Sequence, residues 1–128
     1  MPKFPLTVFR KVIIISNTNE LVRVTPEQVV YVASDGNYTT MVLYDNTEHV
    51  FTMNLSHFQQ LVEDQLEADS NVFIRIGKQL IINRTYIYKI NINKQQLLLS
   101  GIALARTFEL SASREALKSL KALLESEI

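Results

Sequence analysis

Apolar residues in this chain fall in short runs rich in β-branched and aromatic side chains, each broken by polar residues. Val12–Ile15 and Leu21–Val24 flank Ser16-Asn17-Thr18-Asn19, a loop composition, and predict two brief strands. Pro26 interrupts, and the strand pattern resumes over Val29–Ala33. Asp35-Gly36-Asn37 is a strong turn signal before Tyr38–Tyr44, and Asp45-Asn46 separates that run from Glu48–Met53. These two hairpins predict a meander. Further along, Phe73–Ile76, Leu80–Ile82, Tyr86–Ile92, Gln96–Ser100 and Arg106–Leu110 read as strands, with a hairpin bend at Asn91-Ile92-Asn93-Lys94.

The period changes to that of a helix at two places. Asn54 is placed to cap a first helix, with Leu55, Phe58, Val62 and Leu66 near helical spacing and Leu61 beside them. Ser111 or Ser113 is placed to cap a second. There Leu117, Leu120 and Leu124 recur at i, i+3 and i+7, with Ala116 and Leu123 widening the stripe. No internal linker, repeat or low-complexity segment is visible.

Composition narrows the class. The chain has 128 residues, 47% of them hydrophobic, with only 3 Gly and 3 Pro, which fits one folded domain and argues against large-scale disorder. The absence of Cys removes disulfides, thiolate nucleophiles and thiolate metal sites together. The apolar residues from Phe4 to Phe9 are broken by Pro5 and followed by Arg10-Lys11, unlike a secretory signal, and no run is long enough to span a bilayer. A soluble, cytoplasmic protein is the expectation.

Formal charge is zero, from 13 basic and 13 acidic residues, but it is unevenly spread. Residues 1–23 carry +3, residues 24–74 carry −8, residues 75–121 carry +7 and the last seven carry −2. A neutral total can hide a basic face, and the local field is what captures a polyanion. The sequence leaves open whether the blocks interleave and cancel in the fold.

Catalytic signatures are missing. There is no GxSxG, HExxH, phosphate-binding loop or GxGxxG, and the three Gly stand alone at 36, 77 and 101. His49 and His57 lack partners at metal-ligand spacing and read as surface residues. The acidic group Glu63, Asp64, Glu67 and Asp69 lacks the spacing and Gly of a calcium loop and reads as a solvated helix end. No cofactor, metal site or enzymatic activity is expected.

Four stretches, in order, carry a family resemblance: "VVYVASDGNYTTMVLYD", "NLSHFQQLVEDQL", "FIRIGKQLIINRTYIYKI" and "FELSASREALKSL". Together they resemble the LytTR DNA-binding domain of bacterial response regulators, over roughly Thr7 to the C-terminus. The third stretch is similar to the family pattern of Phe, one residue, Arg, Ile, His, Arg or Lys, Ser, an apolar pair and Val-Asn, then Ile. Gly77 stands here in place of the usual His, and Gln79 in place of the usual Ser.

The resemblance implies a mostly β fold of short antiparallel sheets stacked side by side, with one internal and one C-terminal helix. It implies one domain over residues 1–128, with its core at about 7–126, resembling a stand-alone member without a receiver domain, or a fragment. It further implies that loops at one edge of the β-fold bind promoter DNA sequence-specifically to regulate transcription. Paired copies would sit on imperfect direct repeats, with possible self-association on DNA.

Carried over by motif, the contact positions are Asn37, Tyr38, Lys78, Gln79 and Arg114, with Asn83 a further candidate and Arg75 and Arg84 flanking as phosphate ligands. Lys78 is a flexible point charge able to reach a phosphate or guanine, and Gln79 has the amide that pairs with an adenine edge. Arg114 opposes the dipole at a helix start, a cost that a bound phosphate would offset. All but Arg84 have a plainer alternative. Lys78 and Gln79 fit a solvated hairpin tip, Tyr38 an ordinary strand aromatic, and Asn37 a turn residue. Arg114 fits a partner of Glu115, Arg75 an inward-facing partner of an acid, and Asn83 a lock on backbone groups. With about four phosphates neutralised, the log–log slope of affinity against salt would be about −3.6 per monomer. A protein-interaction module on the same fold, without DNA binding, is the rival, motivated by the neutral total, the −8 block and the missing His.

Overall fold

A computed structural model describes residues 11–128; the sequence reading of residues 4–10 lies outside them. The chain runs β1 (Ile13–Ser16), β2 (Leu21–Val24), β3 (Val29–Asp35), β4 (Tyr38–Leu43), β5 (Glu48–Thr52), α1 (Leu55–Leu66), β6 (Phe73–Ile76), β7 (Leu80–Asn83), β8 (Ile87–Asn91), β9 (Gln96–Leu99), β10 (Phe108–Ser111) and α2 (Arg114–Glu125). All strand pairings are antiparallel. They form a hairpin of β1 and β2, a central sheet in the order β5-β4-β3-β7-β6, and a small sheet in the order β10-β9-β8. The predicted meander is β3 to β5.

Side-chain alternation divides the central sheet between two cores. Val32, Met41, Leu43, Phe51 and Ile81 face one side, where α1 and the β1–β2 hairpin cover them with Ile13, Ile15, Val24, Leu55, Phe58, Val62 and Leu66. Val30, Val42, Ile76 and Ile82 face the other, against the small sheet and α2 through Leu97, Leu99, Phe108, Leu117 and Leu120. Burial of each such side chain contributes about 1.5–3 kcal/mol, so each face needs its cover. Gln65 of α1 also holds the hairpin, accepting from Ile14 N at 2.7 Å and donating to Ile14 O at 2.8 Å.

Both helix starts follow the sequence. Asn54 Oδ1 accepts from His57 N at 2.8 Å. Of the two serines proposed for the second helix, Ser113 is the cap, its Oγ accepting from Ala116 N at 3.1 Å. Leu123 departs from the expected stripe and is 40% exposed, while Ala116 and Leu124 pack partly against the core. Among the described residues no helix is long and apolar enough to cross a membrane.

Several strand boundaries shift by one or two residues from expectation, and two of the shifts have a visible cause. Arg84–Tyr86 forms a single 3-10 turn, and β8 starts only at Ile87. Asn83 sets this turn: 1% exposed, it donates through Nδ2 to Pro26 O (3.1 Å) and Val29 O (2.9 Å), and its Oδ1 accepts from Thr85 N (2.9 Å). The Tyr86 hydroxyl is tied to the Glu27 carbonyl. The β10 strand starts at Phe108, after Arg106 has turned its guanidinium over the Phe108 ring at 4.0 Å.

Asn83→Ala would remove a hydrogen bond from each of Pro26 O, Val29 O and Thr85 N at a position 1% exposed, and Pro26 O would keep its bond from Val29 N. Urea unfolding should show a loss of about 2–3 kcal/mol, since an unmet buried polar group costs about 1–3 kcal/mol and part of it can relax. An unchanged midpoint and slope would remove Asn83 from the role of lock.

Candidate nucleic-acid interface

The register decides which turns meet. Asp35 opposite Tyr38 closes the β3–β4 turn, and Ile76 opposite Leu80 closes the β6–β7 turn. Because Ala33 lies opposite Leu80, both turns project from the same end of the central sheet. Ser34 N donates to Gln79 O at 2.9 Å and joins them. In the neighbouring layer, Gln96 opposes both Asn91 and Ser111, which places the β8–β9 turn beside the start of α2. Gly77, Lys78 and Gln79 then line one surface hollow with Ser111, Ala112 and Ser113. Helix α1 begins at this end too, since Ser56 in its first turn meets Arg75 at 3.1 Å.

The β3–β4 and β6–β7 turns are built on glycine for the same reason. Gly36 and Gly77 each have φ +63°, where a side chain is strained. A β-carbon would meet nothing within 4 Å at either, so conformation and not space requires glycine. Asn37 follows Gly36 and is exposed, and Tyr38 is 57% exposed.

Lys78, Gln79 and Arg114 are all exposed. Among the described residues Lys78 and Arg114 make no ion pair; the expected alternative of Arg114 with Glu115 is absent. Arg114 Nη2 instead makes a long contact, 3.4 Å, to Asn93 O in the β8–β9 turn. That turn also brings an exposed basic residue, Lys94, which the sequence offered only as part of a bend. The first-turn amides of both helices lack intrahelical acceptors, and each helix start carries about half a positive charge. The end is not of one sign: Asp35 and Glu115 are exposed here as well.

Three expected contact residues are placed differently. Arg75 is half-buried, and its guanidinium is bonded to Gly77 O (3.3 Å), Lys78 O (2.9 Å), Ser56 Oγ (3.1 Å) and Gln59 Oε1 (2.9 Å). It faces inward, as one alternative held, but meets neutral acceptors and no acid. Strand alternation sets Arg75 opposite Ile74 and Ile76; these pack on the α2 side, which leaves Arg75 on the α1 side. Arg84 lies at the opposite end of β7, where Nη1 pairs with Glu127 Oε2 at 2.6 Å. Asn83, beside it, is enclosed and spent on backbone groups, the plainer of its two alternatives.

Most acidic groups of the −8 block collect at the far end. Glu27 precedes β3, Asp45 and Glu48 border the β4–β5 turn, and Glu67 and Asp69 follow α1. Hydrogen bonds from the Thr47 hydroxyl and amide hold the Asp45 carboxyl below the usual range. Lys11, bonded to Glu67 at 2.7 Å, does the same for Glu67. Among the described residues no three His, Asp or Glu side chains gather as a metal-binding group.

A family model for the LytTr DNA-binding domain matches residues 19–125. The chain belongs to the LytTR family. Among solved structures it is similar to the LytTr DNA-binding domain of a methyl-accepting/DNA response regulator from Bacillus cereus, with a TM-score of 0.62 and 19% identity. The match covers 91% of this chain and 98% of that one. Among curated proteins there is no match. The expected recognition and fold class therefore hold: strands in three small antiparallel sheets with two helices. LytTR is a family of DNA-binding domains and not of enzymes.

Gly77→Ala forces a β-carbon into the left-handed region and should lower stability by about 1–2 kcal/mol, whereas Gly77→Asn should cost less. Thermal melts of the two variants check this; equal losses would mean that the turn relaxes out of its positive φ.

Proposed function

We propose that this protein binds double-stranded promoter DNA with sequence preference and regulates transcription, using the end of the fold where the β3–β4, β6–β7 and β8–β9 turns meet the start of α2. The observation that carries this reading is the convergence of Lys78, Gln79 and the start of α2 on one hollow, in a chain of the LytTR family. Lys78, Lys94 and Arg114 would neutralise phosphates, together with the free amides at the start of α2. Gln79 would pair with a base edge, an adenine N6/N7 edge matching its amide. Asn37 and Tyr38, on the adjoining turn, would hold the backbone. Two copies would lie along direct repeats, touching each other on the DNA.

Arg84 is committed to Glu127 and Arg75 to the protein itself, so fewer cations face the duplex than the sequence suggested. About three neutralised phosphates give a salt slope of about −2.7 per monomer in place of −3.6. The acidic far end would face away from the duplex, which reconciles a neutral total with a polyanionic partner.

Selection of binding sites from random duplexes, followed by salt titration on the winner, tests the proposal. An enriched motif with a slope of about −2.7 per bound copy is expected. Lys78→Ala should weaken all duplexes alike and make the slope shallower by about 0.9. Gln79→Ala should cost about 1–3 kcal/mol on the preferred duplex and relax preference at one position. No enrichment at low salt, with Lys78→Ala and Arg114→Ala both silent, would transfer the assignment to a protein-interaction module.

A further inference from the structure

Arg75 is used unusually for a basic residue beside a candidate DNA-binding turn. Its guanidinium joins two parts of the molecule. Nε and Nη2 donate to the carbonyls of Gly77 and Lys78, and Nη1 donates to Ser56 and Gln59 on α1. Among the described residues it has no carboxylate partner. A backbone bond from Ser34 N to Gln79 O, at 2.9 Å, also ties the β6–β7 turn to its neighbour.

We propose that Arg75 is a positioning residue for base recognition: it clamps the Gly77–Gln79 turn against α1, and so aims Lys78 and Gln79, without touching the duplex. This rests on the proposed function, in which that turn faces DNA. The physical reason is the shape of the donor. A planar guanidinium presents its N–H groups in a fixed fork and can hold four acceptors at once, while a lysine ammonium is a point charge that cannot reproduce that pattern. An aimed Gln79 makes a directional pairing with one base edge; a mobile one contributes little discrimination. Loss of Arg75 therefore falls on specificity, not on the electrostatic part of affinity, which depends on the number of phosphates neutralised.

The test uses the duplex recovered by site selection, single-base variants of it, and a salt series. Arg75→Lys, Arg75→Gln and Gln59→Ala are compared with the parent protein, with thermal melts and amide hydrogen exchange of the free proteins alongside. Arg75→Lys keeps its charge, yet discrimination between the selected and variant duplexes should fall about tenfold, the scale of one side-chain–base pairing, with the salt slope unchanged. Gln59→Ala should move discrimination the same way by less. Amides of residues 77–80 should exchange faster in both. The proposal is overturned if Arg75→Lys binds like the parent while Arg75→Gln weakens every duplex alike and makes the slope shallower by about 0.9, the pattern of a phosphate ligand. Should Arg75→Gln fail to fold, Arg75→Lys and Gln59→Ala still decide. A parent protein that selects no duplex defeats the functional reading itself; a selective parent with an indifferent Arg75→Lys defeats only the role of Arg75.

Discussion

One buried amide holds the register on which the site depends. Leu80, Ile81 and Ile82 of β7 are apolar at consecutive positions and serve cores on both faces of the sheet. A slip of one residue would exchange the faces while still burying hydrocarbon, so the apolar pattern alone specifies this pairing weakly. Asn83 removes the ambiguity. Its side chain bonds Pro26 O, Val29 O and Thr85 N inside the protein, and a slipped strand would lose these three bonds together. With β7 pinned at this end, its other end must deliver Gln79 to Ser34, and the β6–β7 turn to the β3–β4 turn.

From that register follows the sorting of charge. Both helices start at the end where the turns gather, and the antiparallel strands send the acidic segments around Glu27, Asp45, Glu48, Glu67 and Asp69 to the other. The −8 block is thus largely removed from the turn-rich end, although Asp35 remains there and Glu115 joins it. Cations are also sorted by use. Lys78 and Arg114 stay exposed without ion pairs among the described residues, Arg84 neutralises Glu127, and Arg75 is consumed by carbonyl and side-chain oxygens of the protein. Four basic residues singled out along the chain therefore have three different physical roles.

Much of the architecture could be seen in local chemistry. Asp35-Gly36-Asn37 marked a turn because few residues other than glycine accept φ +63°, and Asn54 marked a helix start because its carboxamide oxygen meets an orphan amide. Less of the candidate site was visible. Asn83 and Arg84 sit close to Lys78 in sequence, but a four-residue strand separates them, roughly 10–13 Å at the usual rise of about 3.3 Å per residue. Lys94 carries no local signal, because its neighbours along the chain are only a bend; its place beside the start of α2 arises across the small sheet.

The elements, the positions of the turns and the two apolar faces are local properties of the chain, since they depend on backbone preference and on periods of two and 3.6 residues. Strand alternation also puts Arg75 on the face opposite Ile74 and Ile76, while the cover of that face by α1 is a tertiary outcome. Which turns share an end, which cations stay exposed and which are enclosed came from the packing of distant segments. Those outcomes depend on pairings such as Ala33 with Leu80 and Arg84 with Glu127, between residues distant along the chain, and no local pattern encodes such a distance.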